Sequence, residues 1–172
     1  MSNSSEPDLS PEPGWEQITT PTPYDARRSY VSGEIDGQRL RVRYFRVGDT
    51  GMVVGKAWFG PGVEWPPGHA HGGSMAALMD EVMGGCAWMN GHPVLAARLT
   101  VNFRAVLPMG TVAWFQARIT RRRGRKIFVS GEITSAGGAA IFADATGLFI
   151  EVKPEALGAH AEGARALFER VR

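Results

Sequence analysis

The sequence predicts an α+β domain in which an antiparallel sheet wraps around one long central helix. Runs of alternating residues lie on both sides of a single run with helical period, and turns bearing Gly and Asp separate the alternating runs. The helical run carries an apolar stripe that only a sheet can cover. At 172 residues, 44% hydrophobic and 21% charged, the chain suits one domain with a core of useful size.

Residues 1–25 are rich in Ser, Pro and acids and read as a disordered arm, with Trp15 its one tryptophan. Short alternating runs start at Tyr30-Val-Ser-Gly-Glu. In Arg39–Arg46 the residues Leu40, Val42 and Tyr44 share one face, with Arg39, Arg41 and Arg43 on the other, the period of a half-buried strand. Gly48-Asp-Thr-Gly51 supplies a turn into the run Met52–Phe59. After a loop rich in Pro and Gly, residues Met75, Leu78, Met79, Val82, Met83 and Cys86 trace a helix stripe about three turns long. Four strands are expected next: Ala97–Arg104, with Ala97, Leu99, Val101 and Phe103 on one face, then Thr111–Arg121, Lys126–Thr134 and Ala139–Val152. The methionines of the stripe read as core, with pocket lining as the alternative. Residues 26–153 thus form the domain, and 154–172 a C-terminal surface helix with Leu157, Ala161, Ala164, Leu167, Phe168 and Val171 on one side.

The formal charge of +2 hides an asymmetry. Residues 1–25 hold five acids and no Lys or Arg, so the remainder holds 19 bases against 12 acids, a net of +7. Sixteen of those bases are Arg, whose fork suits phosphate. No stretch reaches the roughly 18 to 20 apolar residues of a membrane span, and the start lacks the regions of a signal peptide, so no membrane partner and a cytoplasmic location are expected. Cys86 stands alone, which excludes an intramolecular disulfide and a cysteine-based zinc cluster. Its place on the apolar stripe argues against a thiol nucleophile paired with His71.

Chemistry concentrates between His69 and Asp80. His71-Gly72-Gly73 lies where a loop enters the helix, so unpaired N–H groups and the positive end of the helix dipole face a ligand. Such an end stabilises a carbonyl oxygen that is becoming an oxyanion. Asp80 is flanked on its own face by Gly73, Ala76, Ala77 and Gly84. It reads either as a solvated helix acid or as an acid facing a ligand or a second helix, and Glu81 beside it reads as the ordinary solvated acid. Gly72 and Asp80 are eight residues apart, about 12 Å along a helix, too far to act together on one carbonyl. Two such helices packed antiparallel across a two-fold axis bring the glycine end of one near Asp80 of the other. His69-Ala-His71 lacks the following Glu of a metal site, so no metal is expected.

The string His71-Gly-Gly-Ser-Met-Ala-Ala-Leu-Met-Asp80, with Leu99-Thr-Val-Asn-Phe-Arg104, Gly124-Arg-Lys126 and Asp144–Ile150, resembles the hotdog-fold acyl-CoA thioesterases of the PaaI-like group over roughly residues 50–152. The resemblance implies a homodimer or a dimer of dimers with sites between subunits. It implies that amides around Gly73 polarise the thioester carbonyl, that His71 orients the loop or the carbonyl, and that Asp80 of the partner subunit is nucleophile or general base. Substrate contacts are expected at Gly72, Asn102, Arg104, Arg125 and Lys126, the last two toward the phosphates of coenzyme A, which is part of the substrate; no separate cofactor is implied. Arg121–Arg123 read as a solvated hairpin tip, and no nucleic-acid motif accompanies them. The sequence departs from the group at Ala96, sixteen residues after the acid, where relatives carry Thr, Ser or Asn. That departure supports the alternative of a module that binds acyl-CoA without hydrolysing it.

Overall fold

The computed structural model describes residues 6–18, 29–33, 36–162, 165, 166 and 169. Seven strands form one antiparallel sheet: β1 (Trp15–Ile18), β2 (Leu40–Val47), β3 (Val53–Phe59), β4 (Val94–Phe103), β5 (Val112–Arg123), β6 (Lys126–Thr134) and β7 (Ile141–Glu151). Their order across the sheet is β1-β2-β3-β5-β6-β7-β4. Helix α1 (Gly72–Met89) connects β3 to β4, which lies at the far edge. Among the described residues no helix is long and apolar enough to cross a membrane.

The alternation in the sequence decides which face of the sheet meets the helix. Leu40, Val42 and Tyr44 of β2, Phe115 of β5, Ile127 and Val129 of β6 and Phe149 of β7 are buried, and so is the whole stripe from Met75 to Cys86. Met75, Met79 and Met83 therefore belong to the core, each contributing roughly 1.5–3 kcal/mol by leaving water. Two glycines let the helix come this close. A Cβ on Gly131 would lie 3.1 Å from Met83, and one on Gly147 would lie 3.0 Å from the Met83 methyl and 2.5 Å from the Phe149 ring.

The end of α1 follows from local chemistry as well. Gly91 takes φ +82°, its N–H donates to Trp88 O at 3.0 Å, and His92 N–H donates to Ala87 O at 2.9 Å. These two bonds are the Schellman arrangement that satisfies the last carbonyls and turns the chain into β4.

Three expectations are corrected. Residues 15–18, inside the arm expected to be disordered, form β1 on the edge of β2. Trp15 packs against Phe45 and Trp114, with ring centroids 5.5 and 5.4 Å away, because the outer face of the sheet offers its ring aromatic cover. Residues 30–32 form a turn rather than a strand, and Glu34 lies outside the described residues. The expected C-terminal helix starts later than 154: Pro154–His160 form a 3-10 segment interrupted at Gly158 with φ +57°, and the described residues 161, 162, 165, 166 and 169 are helical. Ala164, Leu167, Phe168 and Val171 lie outside the described residues.

Strand β4 also departs from its expected alternation. Its register against β7 shifts between Ala96 and Arg98, leaving Ala97 as an extra residue. Leu99 and Val101 are half-buried, whereas Ala97 and Phe103 are exposed. Among the described residues the strand pairs with β7 alone, so its other side is an open edge.

Candidate active site

The loop before α1 is pinned to the body by its backbone. Ala70 N–H donates to Leu107 O at 2.8 Å and His71 N–H to Val63 O at 2.7 Å. His71 then caps the helix: its Nδ1 accepts from Gly73 N–H at 2.8 Å. An imidazole nitrogen that accepts must be unprotonated, so a neutral His71 carries its proton on Nε2 and presents a donor to solvent. A Cβ on Gly73 would lie 2.8 Å from that Nδ1, so the glycine makes the cap sterically feasible. Gly73 N–H is thus occupied by the imidazole. The amide left without an acceptor among the described residues is that of Gly72, the first residue of the helix. The ring of Phe103 lies beside Gly72, with its edge 3.3 Å from where a Gly72 Cβ would stand.

Two turns further along, Asp80 reaches solvent and has no hydrogen-bond or ion-pair partner among the described residues. Protein packed around it, and next the Glu81 carboxylate, push its pKa above the usual aspartate range. It is a carboxylate placed at some electrostatic cost, which is how bases and nucleophiles are made.

Glu81 contradicts its sequence reading. It is half-buried, accepts from Tyr44 Oη, and accepts from Ser29 Oγ at 2.7 Å. Nothing local signals this, since Tyr44 and Ser29 are 37 and 52 residues away.

The remaining expected residues separate into two places. Asn102 and Arg104 are exposed, and Asp144 of β7 accepts from Asn102 at 2.7 Å and pairs with Arg104. Arg104 and Asn102 hold the Asp144 carboxyl below the usual range, so this trio is closed by its own charges. Asn102 stands directly opposite Asp144 in the β4–β7 register, on the face that alternates with the buried Ala143 and Ala145. Both residues therefore sit on the far side of the sheet from α1. Arg125 and Lys126 lie at the β5–β6 hairpin, beside the C-terminal end of α1. Arg125 donates from Nε and Nη2 to Glu151 O at 3.0 and 2.9 Å. It lines an open cavity of about 410 Å³ with His92, Arg122, Glu151 and Lys153. Arg122, expected as a solvated tip, is part of this basic wall and lies 3.5 Å from Glu151.

Cys86 is fully buried with its thiol near Gly51 O and Ala117 O, and burial raises its pKa to about 11. A thiol so held is inert as a nucleophile.

Residues 67–141, which span this loop, the helix and the strands behind it, match the family model described as the thioesterase superfamily. Over 126 residues the chain is 32% identical to the acyl-coenzyme A thioesterase THEM4 of Bos taurus, covering 73% of this chain and 52% of that protein. The chain therefore spans about half the length of this relative. Among solved structures it is similar to a thioesterase superfamily protein at 28% identity with TM-score 0.65, covering 72% of this chain and 60% of that one. It also resembles the Escherichia coli PaaI protein of the phenylacetic acid degradation operon at 16% identity with TM-score 0.58, over 66% of this chain and 79% of that one. The chain thus has the hotdog fold expected from the sequence, a sheet wrapped around one helix.

Proposed function

We propose that this protein hydrolyses acyl-CoA thioesters to a free acid and coenzyme A, at sites shared between two copies of the chain. The observation that carries the reading is one helix bearing both an unpaired Gly72 amide at its positive end and an unpartnered, electrostatically perturbed Asp80 about 12 Å away. Neither group reaches the other's substrate atom within one chain. The name of the 32% identical relative supports the substrate class.

The second copy supplies what is missing. Strand β4 is an open edge, and Leu95, Phe103 and Val106 beside it are 49%, 55% and 65% exposed. Pairing two such edges antiparallel buries these side chains and sets the two α1 helices side by side in opposite directions. The Gly72 end of one helix then faces Asp80 of the other, and the basic cavity at Arg125 of that second copy lies toward the same site. A dimer of dimers is compatible with this unit.

In this site the Gly72 amide and the Nε2–H of His71 donate to the thioester oxygen, and the helix dipole supports the negative charge that develops there. Gly73 N–H contributes by holding His71 in place. Asp80 of the partner subunit acts in one of two ways. As general base it takes a proton from water, the hydroxide oxygen bonds to the carbonyl carbon, and the C–S bond breaks with the proton passing to sulfur. As nucleophile its oxygen bonds to the carbonyl carbon while the C–S bond breaks and coenzyme A leaves as a thiolate that takes a proton from solvent; water then cleaves the mixed anhydride, releasing the acid and restoring the carboxylate. Arg125 and Lys126 hold coenzyme A phosphates. Asn102 and Arg104 are left out of the site, because Asp144 engages both on the far face of the sheet.

One observation favours binding without turnover: Ala96 gives β4 no polar side chain at the point sixteen residues after Asp80. A panel of short, aromatic and long acyl-CoAs separates the two readings. Hydrolysis predicts release of free thiol, with Asp80→Asn losing at least about a hundredfold in kcat while coenzyme A still binds. Binding across the panel with no thiol release selects the non-catalytic module.

A further inference from the structure

The Glu81 carboxylate sits on α1 directly after Asp80 and is held by elements remote in sequence. Tyr44, buried on the helix-facing side of β2, donates to one oxygen. Ser29 donates to the other at 2.7 Å, and Ser32 bonds Ser29 Oγ through both its backbone N–H at 3.2 Å and its own hydroxyl at 3.0 Å. The segment 29–33 is thereby fastened across the helix. We propose that Glu81, clamped by Tyr44 and Ser29, is a positioning residue for the reaction at Asp80, setting that carboxylate's readiness to take a proton through a fixed like charge one residue away.

Two features distinguish this from a purely structural clamp. Hydroxyl donors on both oxygens hold the Glu81 carboxylate in one place on the helix next to Asp80. A glutamine would tie segment 29–33 to Tyr44 through the same positions, but it would not place a charge beside Asp80. Burial first, and Glu81 next, raise the Tyr44 phenol well above its ordinary range, so it stays a donor at every working pH. Among the described residues, the titratable groups bearing on this pair are Tyr44 from the sheet and the two helix carboxylates themselves. After burial, the Glu81 charge also raises the Asp80 pKa.

The inference rests on Asp80 acting as base or nucleophile, and the experiment separates the two claims. The pH dependence of kcat/KM is measured for wild type, Glu81→Gln, Glu81→Asp and Tyr44→Phe on one acyl-CoA substrate. Glu81→Gln should move the acid limb to lower pH by about 0.5–1 unit, the size expected for a unit charge several ångströms away near a surface. The plateau should fall roughly two- to threefold as Asp80 becomes a weaker base. Glu81→Asp keeps the charge and should restore the limb toward wild type, which a structural role alone would not do. Tyr44→Phe strips one donor, so the Glu81 carboxylate is held by Ser29 alone, its charge is less firmly placed, and the limb moves the same way by less; this variant decides the matter if Glu81→Gln does not fold. A limb that stays in place in the folded variants, with Asp80→Asn inactive, overturns this inference alone. Full turnover by Asp80→Asn overturns both it and the proposed function.

Discussion

At the scale of single residues, the proposed site rests on two groups without protein partners among the described residues. The Gly72 amide is unpaired because it is the first residue of a helix, and Asp80 is unpaired because its own face of α1 carries only small residues. Asp80 has a measurable consequence for stability. Its pKa is raised in the folded state, so the folded chain holds that proton more tightly than the unfolded chain does. Below the unfolded value near 3.8 both forms are protonated and nothing is lost. As pH rises through the folded value, the ionised carboxylate subtracts stability, and the loss is complete at neutral pH. Asp80→Asn should therefore melt about 1–3 °C higher than wild type at pH 7, a small gain because Asp80 is partly solvated, and the gap should close near pH 3.5. A scan of thermal unfolding against pH checks it, and a lower Tm for the variant at pH 7 contradicts it.

At the scale of elements, β4 and the β5–β6 hairpin separate what the sequence placed together. Substrate contacts are expected at Asn102, Arg104, Arg125 and Lys126, yet Asn102 and Arg104 meet Asp144 on the face away from α1 while Arg125 lines the cavity beside the helix's C-terminal end. The cause is the pleat: alternate residues of β4 serve opposite faces, so Phe103 lies beside Gly72 while Asn102 and Arg104 meet Asp144. The open edge of β4 is the feature that a second copy would use. Leu95→Asp places a charge there without disturbing the buried core, since Leu95 is 49% exposed. It should shift the protein toward monomer in sedimentation or light scattering and remove turnover together with dimerisation, while the far-ultraviolet circular dichroism stays unchanged. A wild-type protein that is monomeric at micromolar concentration sinks the shared site.

At the scale of the whole molecule, the split between an acidic arm and a basic body has a structural meaning. Glu12 pairs with Lys56 at 2.6 Å and Glu16 with Arg46 at 2.6 Å, so two of the five arm acids lie against bases of the sheet. Lys56 is only 6% exposed and also lies over the Trp114 ring. A buried ammonium needs its counter-charge, and the exposed Glu16–Arg46 pair contributes much less. Glu12→Gln should destabilise the protein by roughly 1–2 kcal/mol, below the full cost of breaking a buried pair because Glu12 keeps some contact with water. Chemical denaturation checks it, with Glu16→Gln expected to change stability by no more than about 0.5 kcal/mol.

The sequence by itself determined the central helix, six of the seven strands among the described residues, the buried face of β2, and the loop entering the helix at His71-Gly72-Gly73. Each of these depends on periodicity or spacing within about 20 residues, where backbone geometry converts sequence directly into position. Only the tertiary structure decided that Trp15 and its neighbours form β1, that the Gly73 amide is taken by His71 and the Gly72 amide is open, and that Glu81 is clamped rather than solvated. It also decided that Asn102 and Arg104 answer to Asp144, and that Arg122 shares a basic cavity with His92 and Lys153. The reason is physical. Most of these contacts join residues 29 to 59 positions apart, and the others turn on which of two neighbouring groups a side chain reaches. Local pattern carries no information about either until the sheet has closed around the helix.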